Sequence, residues 1–234
     1  MEKFIEWSVL ELRKRRLFVF FPKLENEIIS YPRILKEASN ENDFSLINEV
    51  GLRHQYFEFT VHLPDQLESY DIGWSVDRDK VWDKTITHLP VNYPLVYSDN
   101  SDLNLSRVND YLNAKTTSPV LAIHYIPLGL FLIIDGNHRF EAARRRADKE
   151  IPEIILEPAE HISTIVSLEM KQKFLIHHNL VMLLSFAHNP IMFLEITTKA
   201  TRPERAFYPF NKEIRFPYLR KILFVMWNAL FNRS

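Results

Sequence analysis

The most constraining stretch of this chain is residues 131–156. Phe131-Leu132-Ile133-Ile134 is an apolar run of strand length, rich in β-branched residues. Phe140, Ala143 and Ala147 recur at i, i+3 and i+7, one face of a helix. A polar loop and a second apolar run, to Leu156, predict another strand. Between the first strand and the helix stand five polar or flexible residues, Asp135-Gly136-Asn137-His138-Arg139.

That placement points to anion chemistry. A helix start exposes backbone N–H groups without intrahelical partners, and the helix dipole favours negative charge there. Gly136 allows a sharp turn and a close ligand approach. The chain has only four glycines, so a backbone reason is expected for each. Asn137 is expected to cap the helix. His138 can donate a hydrogen bond or move a proton near neutral pH. Arg139 offers a planar fork suited to phosphate. Asp135, at the strand end, can place a metal or a ligand hydroxyl, or orient Arg139. The bland alternative is a capped helix with His138 and Arg139 in solvent.

The run Ile134-Asp135-Gly136-Asn137-His138-Arg139 is followed by Glu141-Ala142-Ala143-Arg144 and then Lys149-Glu150-Ile151-Pro152. Together they resemble the ParB/sulfiredoxin superfamily, over about residues 90–158. The resemblance implies that Gly136, Asn137, His138 and Arg139 hold the phosphates of a nucleoside tri- or diphosphate, ATP foremost, with Mg²⁺. It also implies catalytic roles for Asp135 and His138. Sulfiredoxins carry a catalytic Cys just before the His-Arg pair; Asn137 stands there, and the chain has no cysteine, so that chemistry is excluded. ParB partition proteins have an Arg-rich loop and a following helix-turn-helix, and neither is evident. The superfamily's free-serine kinases, with an Asp-Gly-x-His-Arg loop, match best, but the catalytic glutamate they require is not placed by this sequence. Some ParB-like proteins are nucleases, which keeps that class open.

Composition sets the outer bounds. The 234 residues are 46% apolar and 25% charged, ordinary for a globular chain of one large or two small domains. A net charge of −1 gives no global drive toward nucleic acid or anionic membrane. Without cysteine there are no disulfides, thiolate catalysis or sulfur-based zinc sites. The first residues lack the order of a signal peptide, so a cytoplasmic protein is expected.

Ahead of the site, residues 1–50 read as mainly helical, with Phe4, Ile5, Val9 and Leu12 on one face. The basic run Arg13-Lys14-Arg15-Arg16 reads as a solvated helix face, because acidic residues flank it. Residues 55–62 alternate Phe57, Phe59 and Val61 against Tyr56, Glu58, Thr60 and His62, a half-buried strand. Residues 64–90 read as polar and irregular, anchored by Trp74 and Trp82. Their acids Asp71, Asp77, Asp79 and Asp83 read as surface loop residues. A short strand from Leu95, a helix over 102–112 and a strand over 119–126 follow. The last pairs with the 131–135 strand as a hairpin, with His124 buried beside it.

Beyond the site, Phe174 to Leu194 carries no Asp, Glu, Lys or Arg. Its histidines and asparagines argue for a buried helix rather than a membrane span. Residues 219–231 form a strong apolar helical stripe suited to a core or to a homo-oligomer.

The fold expected is α/β (α+β): a small mixed sheet over 90–158, an α+β extension over 1–89 and a mainly helical one over 159–234. The first functional reading is a phosphotransferase or nucleotide hydrolase with an unidentified acceptor. The second is a nuclease or nucleotide-switched DNA-binding protein, with nucleic acid as partner. The third is an inactive interaction protein. No dedicated metal site is expected.

Overall fold

The computed structural model describes residues 1–20, 22–41, 54–63, 68–98, 103–114, 118–125 and 129–188. The apolar stripe at 219–231 and the turn at Pro127-Leu128 lie outside them. The chain divides into two compact units: residues 1–42, 61–70 and 172–234, and residues 43–60 and 71–171.

The first unit is helical where described. It contains α1 (Glu2–Lys14), α2 (Leu17–Phe20), α3 (Pro22–Ile29) and α4 (Tyr31–Asn40). It also holds most of α9 (Leu168–His188), which follows α8 (Pro158–Ser163) in the chain. On α1 the buried residues are Phe4, Ile5, Ser8, Val9 and Leu12, the expected face plus one serine. Ser8 satisfies its hydroxyl by donating to the Phe4 carbonyl at 2.7 Å. Arg16, at φ 58°, turns the chain between α1 and α2. Residues 13–16 are exposed, and Arg13 and Lys14 pair with Glu25 and Glu11 at 2.7 and 2.6 Å, a solvated face.

Helix α9 carries buried His177, His178 and Asn179 into this unit. His177 and Asn179 have polar or aromatic neighbours that explain part of their burial. His177 Nδ1 lies 2.9 Å from the Tyr70 hydroxyl, and its ring meets Phe4 edge-on. Asn179 donates to the Tyr31 hydroxyl at 3.3 Å. Among the described residues, no helix is long and apolar enough to cross a membrane.

The second unit is built on a five-stranded mixed sheet. Its strands are β3 (Thr87–Pro90), β4 (Val96–Ser98), β5 (Val120–Tyr125), β6 (Leu130–Asp135) and β7 (Glu150–Leu156). Their order is β3-β7-β5-β6-β4. β5 and β6 form the expected antiparallel pair; β4 runs parallel to β6, and β7 parallel to β5. The fold is therefore α/β with a mixed sheet, and the sheet takes in residues 87–90.

Helix α7 (Asn137–Arg145) packs Phe140 and Ala143 against Val120, Ala122, Ile133 and Ile151. Of the face expected from periodicity, Phe140 and Ala143 are buried, but Ala147 is corrected: the helix ends at Arg145, and Ala147 follows it at φ 57° and is exposed. At the far end of the hairpin His124 is half-buried and stacks on Phe131 at 5.1 Å.

The irregular reading of 64–90 is corrected. Residues Ser69–Asp77 form strand β2, paired with β1 (His54–His62). Tyr70, Ile72, Trp74 and Val76 alternate inward along it, the period of a half-buried strand. Helix α5 (Arg78–Trp82) follows. Trp74 is fully buried, whereas Trp82 is 42% exposed and is no core anchor. The acids in this stretch are dispersed: Asp71 accepts from Thr60 at 2.6 Å, and Asp77 lies 3.6 Å from Lys80.

Candidate functional site

Strands β4 and β6 are parallel neighbours, and each leads to a helix. After β4 comes α6 (Leu105–Asn113); after β6 comes α7. Ligands of α/β sheets collect outside the carboxyl ends of such strands. Ser98 and Asp135 are the last residues of the two strands, so the 135–139 turn lies at their carboxyl ends.

Gly136 makes the turn at φ 93° and is the N-cap of α7, with no side-chain cap. The expectation that Asn137 caps the helix is corrected: Asn137 is the first helical residue, and its Oδ1 accepts from the Ser98 hydroxyl at 2.8 Å. The first-turn amides therefore keep no side-chain cap, which preserves the anion-binding character of the helix start. The bond from Ser98 fixes the Asn137 amide. Ser98→Ala is expected to lower unfolding stability by about 1 kcal/mol, measured by denaturant titration.

His138 is held from α6. The Asn104 backbone N–H donates to His138 Nε2 at 3.0 Å, and Asn104 Oδ1 caps α6 by accepting from the amides of Ser106 and Arg107. An N–H donor requires Nε2 to be the unprotonated nitrogen, so the neutral ring carries its proton on Nδ1. Burial lowers the His138 pKa below its ordinary value, and the charges of Arg107 and Arg139 lower it further. His138 is therefore a neutral donor at physiological pH, with Nε2 already engaged.

Arg139 lies under the turn. Its Nη2 donates to the Pro119 carbonyl at 3.2 Å and to Asp135 Oδ2 at 3.3 Å. Its Nε is buried without a hydrogen-bond partner. Asp135 thus orients Arg139, one of the roles read from the sequence. The arginines downstream are not an open basic patch. Arg144 and Arg145 both grip the buried Glu141 at 2.8 Å, and Arg146 pairs with Asp148 at 2.7 Å.

The structure brings Asp135, Gly136, Asn137, His138 and Arg139 together, as contiguity demands. It adds Ser98, Asn104 and Arg107, which sequence reasoning missed. Asn104 carried one legible signal, an Asn two and three residues before the amides it caps. Its bond to His138 had none.

Among the described residues there is no group of three or more His, Asp or Glu that could hold a metal ion. Comparison with protein-family models, curated proteins and solved structures finds no match to this chain.

Proposed function

We propose that the second unit binds a nucleoside di- or triphosphate on the 135–139 turn and acts as a phosphotransferase or nucleotide hydrolase. The observation that carries this reading is the uncapped start of α7 at the carboxyl end of β6, with the Arg139 guanidinium beneath it and the charge of Arg107 acting on His138. First-turn amides, His138 Nδ1–H and the guanidinium of Arg107 supply donors and charge for phosphate oxygens. Phosphoryl transfer needs mainly such positioning and neutralisation. The resemblance of 131–156 to the ParB/sulfiredoxin superfamily supports the same reading, with ATP as the first candidate.

Mg²⁺ fits only as a companion of the nucleotide. Asp135 offers one carboxylate, already within reach of Arg139, and Mg²⁺ is commonly held by one or two carboxylates together with substrate phosphates. Bound there, it would neutralise charge on the transferring phosphoryl group. The internal pairing of Arg144, Arg145 and Arg146 weighs against a nucleic-acid surface at this helix.

The test is calorimetric titration of ATP, ADP, CTP and GTP, with and without Mg²⁺, into wild type, Arg107→Ala and Arg139→Ala. Arg107→Ala is expected to weaken binding on the order of tenfold, as loss of a charge-assisted contact does. Arg139→Ala is expected to weaken it as much, through loss of charge and of the brace under Gly136. Absence of binding by any nucleotide to wild type would refute the reading.

A further inference from the structure

The first unit has a basic corner that the nucleotide reading does not use. It lies where α1 hands over to α2, and Arg13, Lys14, Arg15 and Arg16 are all exposed there. Leu12, Leu17 and Phe18, on either side of the run, are buried, so the corner is fixed to the core of its unit. Arg16 makes the turn at φ 58°, a conformation that costs a residue with a Cβ. Its amide donates to the Arg13 carbonyl at 2.9 Å, and the Val19 amide donates to the Arg16 carbonyl at 3.2 Å. Val19, just past the bases, is 75% exposed. Leu10, 55% exposed, shares an α1 face with Arg13 and Lys14, three and four residues on. Five bases stand against two acids between Leu10 and Glu25. Those acids, Glu11 and Glu25, pair with Lys14 and Arg13 on the surface, where such pairs are weak, and the corner stays net positive.

We propose that this corner docks on an anionic lipid surface, with Arg13, Lys14, Arg15 and Arg16 at the headgroups and Val19 entering the boundary with the acyl chains. The proposal is independent of the nucleotide reading. Each base held near an anionic leaflet tightens attachment on the order of fivefold. An exposed aliphatic side chain beside those bases gains by leaving water for the acyl boundary. Long Arg and Lys stems cover apolar surface while their charged heads stay with the phosphates, which suits a shallow insertion. A nucleic-acid backbone would match the charge but offers nothing to Val19 or Leu10; an anionic bilayer surface matches both. One basic cluster with one inserted aliphatic residue gives reversible, salt-sensitive attachment rather than an anchor.

The experiment is flotation of the full chain with vesicles of phosphatidylcholine alone or with about 30% phosphatidylglycerol, at about 0.05 and about 0.3 M salt. At the lower salt, wild type is expected to bind the anionic vesicles on the order of tenfold or more above the neutral ones, and to come off as salt rises. The double variant Arg15→Gln, Arg16→Gln should lower that binding roughly 25-fold. Val19→Ser should lower it severalfold, and Val19→Trp, which puts an interfacial side chain at the same point, should raise it. Unchanged far-ultraviolet dichroism reports that these surface variants are folded. Duplex DNA is titrated at the same low salt. Binding that is absent, or equal on neutral and anionic vesicles, would overturn the proposal. So would anionic-vesicle binding that the double variant leaves unchanged. DNA bound while vesicles are ignored, or vesicle binding indifferent to residue 19, would assign the corner to polyanion charge alone and overturn the lipid surface as its partner.

Discussion

Gly136→Ala is expected to destabilise the second unit by about 2–4 kcal/mol and to lower its melting temperature by roughly 5–12 °C. Two terms add. Gly136 sits at φ 93°, where an L-residue costs roughly 1–2 kcal/mol. A Cβ there would also lie 2.7 Å from Arg139 Nη2, 2.9 Å from Val120 Cγ1 and 3.0 Å from Arg139 Nε. Neither neighbour yields readily. Val120 is core, and the guanidinium is tied to Pro119 and Asp135. Gly129→Ala is the internal control: it has φ 62° but nothing within 4 Å of its Cβ. It carries the backbone term alone, about 1 kcal/mol. Calorimetric melting of both variants therefore isolates the clash. Equal losses would mean that Arg139 does not pack beneath the turn. Gly136→Ala should also weaken nucleotide binding, because Arg139 must move to admit the methyl group.

Acidification is expected to cost both units stability. Burial lowers the pKa of His177 to about 3, helped by the neighbouring His178. Burial likewise lowers that of His161 to about 4, against the partly offsetting hydrogen bond to the His124 carbonyl. Unfolded, each takes up a proton near 6.5. The unfolded chain thus binds more protons below that pH, and stability falls as pH drops from 6.5 toward each folded value. At pH 4.5 the loss is about 3 kcal/mol per histidine, on the order of half or less of a typical domain's total. Guanidinium unfolding at pH 7.5 and 4.5 measures it. His177→Gln keeps a polar partner for Tyr70 and does not titrate, so it should remove roughly half of the pH dependence. A dependence unchanged by that variant would show that His177 is not what acid attacks.

The legible parts of this protein are those where one local signal sufficed. The strand, turn, helix and strand of 131–156 were readable because apolar period, a single glycine and chain direction agree within a few residues. The faces of α1 and β1 were readable for the same reason. Strand β2 was missed although Tyr70, Ile72, Trp74 and Val76 alternate, because Asp71, Gly73 and Asp77 give the stretch the composition of a loop. Its burial against the rest of the unit overrode that weak propensity.

The sequence by itself determined that Asp135 through Arg139 stand together at a strand-to-helix turn, since neighbours in the chain are neighbours in space. Only the tertiary structure decided how they are used. It placed the Asn104 amide on His138 Nε2 across 34 residues, and the Ser98 hydroxyl on Asn137 across 39. It turned the fork of Arg139 toward Pro119 and Asp135. Such pairings arise when β4 docks parallel to β6 and brings the starts of two helices to one end of the sheet. No periodicity encodes them, because a hydrogen bond between distant residues depends on strand order and register.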